Sequence, residues 1–128
     1  MKNKVLIIQA NYYKDISTAL LKSAKNELRN FAKINIITVP GVFEIPIVIS
    51  KNVKKYDGFI ALGCVIKGQT PHFDFISKST TDAIMNISVV YKKPVGNGII
   101  TCLNKTQAIA RGKKGREAAN AVKIILSL

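Results

Sequence analysis

The sequence has few of the residues on which disulfide-rich, metal-binding or membrane-spanning proteins depend. Its 128 residues include no tryptophan, one histidine and two cysteines, so a zinc site built from several cysteine and histidine ligands is not expected. The longest apolar runs are far shorter than the roughly 20 residues of a transmembrane helix. The basic N-terminal residues precede only a short apolar run, which indicates a first strand rather than a signal peptide.

Acidic residues are also scarce. Seven Asp and Glu accompany 20 Lys and Arg, and the formal net charge is +13. Such a surplus is typical of proteins that bind nucleic acid. However, the 48% apolar content predicts a folded chain rather than a basic disordered tail, and the lysines are scattered along the sequence. We therefore expect neither a nucleic-acid partner nor a membrane partner.

The two cysteines, Cys64 and Cys102, each lie within an apolar run. Buried thiols are the simpler interpretation, and a disulfide or metal pair is the alternative. Free thiols are typical of a reducing compartment, so we expect a cytoplasmic protein. A chain of this length buries enough surface for one core, which predicts a single domain over residues 1–128.

Apolar runs alternate with helical periodicity along the chain. The runs predict strands, and the segments between them predict helices. The predicted strands cover residues 5–9, 34–39, 59–66 and 94–101, and the predicted helices cover residues 14–31, 43–53, 71–91, 106–111 and 115–126. Apolar strands joined by helical crossovers indicate an α/β sandwich whose parallel sheet is covered on both faces. Ligands of such sheets bind beyond the carboxyl ends of the strands.

Helical spacing also predicts which side chains face the core. These positions are Phe43, Ile47, Val48 and Val53 in the second helix, Phe73, Ile76, Ala83, Ile84, Ile87, Val90 and Tyr91 in the third, and Ala118, Ala119, Val122, Ile125 and Leu126 in the last.

The segment after the third strand is rich in residues that can bind or react. Gly68 precedes Gln69 and Thr70, whose backbone N–H groups at a helix start can receive an anion. Thr70 is also the expected N-cap, followed by Pro71 at the first helical position. His72, the only histidine, can accept a proton there. The alternative is a histidine that only caps the helix or contacts solvent.

Three further groups follow predicted strand ends or helix starts. Glu44 either interacts favourably with a helix dipole or accepts hydrogen bonds from ligand hydroxyls. Tyr12 and Tyr13 form either a flat stacking surface or a half-buried lid. Arg111 opens a basic turn that either grips a phosphate through its guanidinium or is a solvated charge run.

Three segments together resemble the 6,7-dimethyl-8-ribityllumazine synthase family of riboflavin biosynthesis. They are residues 39–46 (VPGVFEIP), residues 61–75 (ALGCVIKGQTPHFDF), and residues 106–111 (TQAIAR) followed by Lys114 and Gly115. The resemblance implies a flavodoxin-like three-layer α/β sandwich with a four-stranded parallel sheet. It also implies a transferase that needs no cofactor and joins 5-amino-6-(D-ribitylamino)uracil to 3,4-dihydroxy-2-butanone 4-phosphate, with release of phosphate and water.

The resemblance further implies a role for each matching residue. His72 stands where the family has its proton-transfer residue. The residues expected to contact the ribitylaminouracil are Tyr12, Val42, Phe43, Glu44, Cys64, Val65 and Ile66. Those expected to hold the phosphate are Gln69, Thr70, Lys114 and Arg111, the last from an adjacent subunit.

Some positions depart from the family pattern. Asn97 stands where many members have an aromatic ring from the neighbouring subunit, so we expect its amide to contact the pyrimidine instead. The segment from Arg111 to Lys114 is shorter than in many capsid-forming members, and their additional N-terminal strand is missing before Lys4. We therefore expect a homopentamer rather than a 60-subunit shell, with the active site between subunits. A flavodoxin-like protein that binds a pterin-like or flavin ligand without turnover is the alternative.

Overall fold

The computed structural model describes residues 3–68 and 71–128. Its strands are β1 (Asn3–Ala10), β2 (Ala32–Val39), β3 (Gly58–Ile66) and β4 (Val95–Cys102). Its helices are α1 (Lys14–Leu28), α2 (Ile45–Asn52), α3 (His72–Tyr91), α4 (Lys105–Ala110) and α5 (Lys114–Leu126), and a 3₁₀ turn (Val42–Glu44) precedes α2. The predicted alternation of strands and helices is confirmed, with ends that shift by a few residues.

The four strands form one parallel sheet in the order β2-β1-β3-β4. Val5 of β1 pairs with Ile34 on one side and with Gly58 on the other. The chain leaves β1 toward β2 and then crosses back over β1 to reach β3, so the direction of winding changes there. A crevice is expected at the carboxyl ends of the strands at such a point.

Side chains of β1 alternate between the two faces of the sheet. Val5 and Ile7 lie in a core with α1, α4 and α5, whereas Leu6 and Ile8 lie in a second core with α2 and α3. All four are fully buried. The sheet is therefore the middle layer of a flavodoxin-like three-layer α/β sandwich, as the sequence predicts.

Close packing between α1 and α5 determines where the turn before α5 lies. A Cβ atom on Gly115 would collide with the carbonyl oxygen of Leu20. Ser23 Oγ donates a hydrogen bond to Gly112 O at 3.0 Å and accepts one from Arg116 N at 3.1 Å. These contacts attach the turn that contains Gly112 to the outer layer of the sandwich.

The predicted apolar faces of the helices are partly wrong. In the second helical segment Ile45 and Ile49 are fully buried, whereas Phe43 and Ile47 are 63% and 59% exposed. Val53, which was predicted to face the core, is buried as well, and it shares a helical face with Ile45 and Ile49 because the three positions are four residues apart. Other side chains that were predicted to be buried but are largely exposed are Val90 and Tyr91 in α3 and Ile125 in α5.

No helix in the described ranges is both long enough and apolar enough to cross a membrane.

Candidate active site

A cleft of about 300 Å³ opens beyond the carboxyl ends of β1 and β3, where the winding of the sheet changes direction. Three chain segments and the start of α3 form its walls. Its lining residues are Tyr12, Tyr13, Gly41, Val42, Phe43, Cys64, Val65, Ile66, His72 and Ile76. The fold thus brings together most of the residues that the sequence singles out for the ribitylaminouracil, along with the only histidine.

The turn before α2 is closed by its own carboxylate. Glu44 Oε1 accepts a hydrogen bond from Gly41 N at 3.0 Å, and Glu44 N donates to Gly41 O at 3.2 Å. This reciprocal pair holds Val42 inward, where it is buried, and leaves Phe43 exposed on the cleft wall. Within the described residues Glu44 Oε2 has no hydrogen-bond partner, so it is available to a ligand hydroxyl. Glu44 itself does not line the cleft, and its role toward a ligand stays a prediction.

The end of β3 contributes a neutral thiol to the cleft. Cys64 is only 8% exposed, and burial raises its pKa to about 12, with smaller contributions from the Cys102 thiol and then Asp15. A thiol with that pKa is protonated at neutral pH and is a poor nucleophile. Cys102 is also buried, and both thiols are free. The interpretation as buried thiols is confirmed.

Tyr12 and Tyr13 meet edge to face rather than side by side. Their ring centroids are 4.9 Å apart and the ring planes are inclined at 81°. Tyr12 is 76% exposed, whereas Tyr13 is half-buried. Burial raises the pKa of Tyr13, and Tyr12 and Cys64 add to the shift. The two rings therefore do not form one continuous plane, and Tyr12 is the more accessible of the two.

His72 is the first residue of α3, and its side chain is exposed at the cleft. The carbonyl oxygen of Pro71 accepts hydrogen bonds from Asp74 N at 3.1 Å and Phe75 N at 3.2 Å, which close the first turn. Pro71 is thus the cap rather than the first helical residue. The predicted N-cap Thr70 and the predicted phosphate-binding N–H groups of Gln69 and Thr70 lie outside the described residues.

Ile76 lines the cleft, although sequence reasoning assigned it only to the helix core. It follows His72 by one helical turn, and residues four apart lie on the same face of a helix. That spacing was the signal that could have identified it as a cleft residue.

Asn97, Arg111 and Lys114 do not line this cleft within one chain. Asn97 lies on the edge strand β4, and its Oδ1 accepts a hydrogen bond from Ile99 N at 3.1 Å. Arg111 and Lys114 share the turn between α4 and α5, where Lys114 N donates to Arg111 O at 3.0 Å.

A metal centre finds no support in the part of the chain that the structure describes, since no three His, Cys, Asp or Glu side chains cluster there in a way that could hold an ion.

Comparison with known proteins agrees with this arrangement. The family model of 6,7-dimethyl-8-ribityllumazine synthase matches residues 2–128. The chain belongs to this family. A 6,7-dimethyl-8-ribityllumazine synthase 1 of Rhodopseudomonas palustris is 42% identical over 98% of this chain and 85% of its own length.

Two further relatives carry the name 6,7-dimethyl-8-ribityllumazine synthase. The protein of Bartonella tribocorum is 42% identical over 99% of this chain and 90% of its own length. The protein of Agrobacterium fabrum is 41% identical over 99% of this chain and 95% of its own length. The similarity therefore includes every segment that contributes to the cleft.

Proposed function

We propose that this chain catalyses the condensation of 5-amino-6-(D-ribitylamino)uracil with 3,4-dihydroxy-2-butanone 4-phosphate to 6,7-dimethyl-8-ribityllumazine. The observation that carries this proposal is the convergence on one cleft of two of the three family segments, residues 39–46 and residues 61–75. The turn at residues 41–44, the end of β3 and the start of α3 line it together, in a chain that matches the family model over residues 2–128.

The chemistry needs two small molecules held face to face. The amine of the pyrimidine forms an imine with the ketone and releases water, phosphate then leaves by elimination, and ring closure with loss of a second water completes the product. Effective molarity supplies about 7–11 kcal/mol in well-oriented cases. Positioning by the walls of the cleft is therefore the main catalytic contribution.

His72 moves protons during these steps. Its side chain lies at the cleft, at the start of α3. An imidazole there can take a proton from the carbon next to the imine and return one to the departing group. Proton transfer by a positioned side chain typically contributes 10²–10⁴-fold. Cys64, whose pKa burial raises to about 12, contributes to the wall of the cleft as a neutral thiol.

The pyrimidine lies against the end of β3, and its ribityl chain extends toward the turn at residues 42–44. Cys64, Val65 and Ile66 offer backbone groups there, Tyr12 offers one ring face, and the Oε2 atom of Glu44 accepts from ribityl hydroxyls. The phosphate is held by the N–H groups of Gln69 and Thr70 together with Arg111 and Lys114. Asn97 contacts the pyrimidine from the neighbouring subunit.

A homopentamer completes the site. Arg111, Lys114 and Asn97 lie away from the cleft of their own chain, which supports a site shared between neighbouring subunits. Phe75, Met85 and Val89 of α3 are each more than 60% exposed in the single chain, and exposed apolar patches of this kind are typical of interfaces. Light scattering tests the assembly: a 14.0 kDa chain gives about 70 kDa for five copies and about 840 kDa for a 60-subunit shell.

The free, buried thiols of Cys64 and Cys102 support a reducing compartment. The proposal places the enzyme in the cytoplasm, as one domain over residues 1–128.

The function is tested by mixing purified protein with both substrates and following the lumazine chromophore. We expect a product that depends on both substrates and forms faster than without protein. A protein that binds a flavin or pterin but forms no product would refute the proposal.

A further inference from the structure

The guanidinium group of Arg111 lies on the end of its own β4 strand. Its Nη1 atom donates to the carbonyl oxygen of Thr101 at 3.1 Å and to Cys102 Sγ at 3.5 Å. Arg111 is exposed, whereas Cys102 is only 2% exposed. Across residues 3–68 and 71–128 the guanidinium forms no other hydrogen bond and no ion pair, so Nη2 and Nε are available to an anion.

The short helix α4 brings Arg111 back over the strand that it leaves. Asn104 Oδ1 accepts a hydrogen bond from Gln107 N at 2.9 Å, and Gln107 Oε1 accepts one from Leu103 N at 2.8 Å. These two bonds fasten the start of α4 to the end of β4. Because α4 has only six residues, Arg111 follows at the point where its side chain can return to Thr101 and Cys102.

Cys102 is itself held firmly on its other sides. Its carbonyl oxygen accepts a hydrogen bond from Lys67 N at 2.8 Å, which ties the end of β4 to the segment that leaves β3. Its side chain lies in the buried core with Cys64 and Ala108. The sulfur is therefore a fixed hydrogen-bond acceptor at the edge of the sheet. It restrains the position of the guanidinium group that contacts it.

We infer that Cys102 is a positioning residue that holds the Arg111 guanidinium ready for the phosphate of the butanone substrate. This inference rests on the proposed function. An exposed arginine loses rotamer freedom when it grips an anion, and fixing one of its nitrogens in advance lowers that cost. The sulfur and the Thr101 carbonyl occupy Nη1, so Nη2 and Nε form the edge that faces the anion.

Two variants whose side chains have the same shape as each other test the role of the hydrogen-bond acceptor at position 102. Cys102→Thr keeps a hydrogen-bond acceptor atom on the β carbon, whereas Cys102→Val has the same shape but no acceptor atom. Both residue types are favourable in a strand. We expect Cys102→Val to raise KM for the butanone phosphate about five-fold, while kcat and KM for the ribitylaminouracil stay unchanged. Cys102→Thr should keep the KM of the unmodified protein. If the larger side chains prevent folding, Cys102→Ser and Cys102→Ala make the same comparison with smaller groups.

A double-mutant cycle shows whether the effect passes through Arg111. Arg111→Lys removes the planar guanidinium group, so in that background Cys102→Val should cause no further rise in KM for the butanone phosphate. A purely structural role of Cys102 would add its full effect in both backgrounds and would overturn the inference. Equal KM values for Cys102→Val and Cys102→Thr would overturn it as well. Failure of the proposed function looks different, because the unmodified protein would then form no product.

Discussion

Val42 packs directly onto the backbone of Gly63, where a strand meets the turn that walls the cleft. A Cβ atom on Gly63 would lie 2.5 Å from Val42 Cγ1 and 3.2 Å from the Cβ of Ala10. Distances this short force neighbouring atoms to move. The absence of a side chain at position 63 therefore allows the turn at residues 41–44 to lie close to β3.

Replacing Gly63 by alanine should destabilise the protein and displace this turn. Overpacking of a buried site costs about 1–3 kcal/mol, so we expect Gly63→Ala to lower the free energy of unfolding in urea by that amount. KM for the ribitylaminouracil should rise as well, since the wall of its site moves.

Gly68 provides the matched control for this substitution. Among the described residues, 3–68 and 71–128, a Cβ atom there meets nothing within 4 Å, so Gly68→Ala should change the free energy of unfolding by less than about 0.5 kcal/mol. Adding Val42→Ala to Gly63→Ala removes the colliding methyl groups and should recover part of the lost stability. Equal effects of Gly63→Ala and Gly68→Ala would contradict the contact.

Glu44 should matter for both stability and substrate binding. Glu44→Ala removes the acceptor that closes the turn onto Gly41 N, and loss of a cap of this kind costs about 1 kcal/mol. Glu44→Gln keeps an oxygen at that position and should lose less stability. Urea denaturation measures the first effect. Steady-state kinetics should show KM for the ribitylaminouracil rising in both variants, and rising more in Glu44→Ala.

His72→Ala should lower kcat by about a hundredfold or more, because proton transfer then depends on water. Light scattering should show the same particle mass as for the unmodified protein, since the side chain is exposed. Added imidazole should restore part of the activity. Unchanged turnover in His72→Ala would show that another group moves the protons.

The buried thiols predict low chemical reactivity and a loss of stability at high pH. At pH 8 a thiol reagent should modify neither Cys64 nor Cys102 in the folded protein, and it should modify both in urea. An unfolded Cys64 loses its proton near its ordinary pKa of 9.0, whereas the folded one keeps it to about pH 12. The unfolded state therefore binds fewer protons between these values, and the free energy of unfolding should fall as pH rises through this window.

Cys64→Ala separates this contribution from the titration of lysines. The variant lacks the thiol, so its stability should fall less steeply between pH 9 and pH 12 than that of the unmodified protein. The difference in slope is at most about 1.4 kcal/mol per pH unit. Parallel stability curves for the two proteins would contradict the raised pKa.

The sequence predicted the layers of this fold because buried parallel strands are continuous apolar runs, as at residues 59–66. It predicted the apolar face of α2 only in part: Val53 is buried as expected, whereas Ile47 is exposed and Ile49 takes its place in the core. Contacts between distant segments, such as Val42 on Gly63, depend on how the layers pack. No local pattern in the sequence encodes them.

One reaction tests the central claim most directly, with phosphate and the lumazine chromophore measured in the same sample. If the cleft joins the two substrates as proposed, phosphate and 6,7-dimethyl-8-ribityllumazine will form in equal amounts, faster than in a protein-free control, and His72→Ala will slow both together. No acceleration over that control, or release of phosphate without the chromophore, would contradict the account.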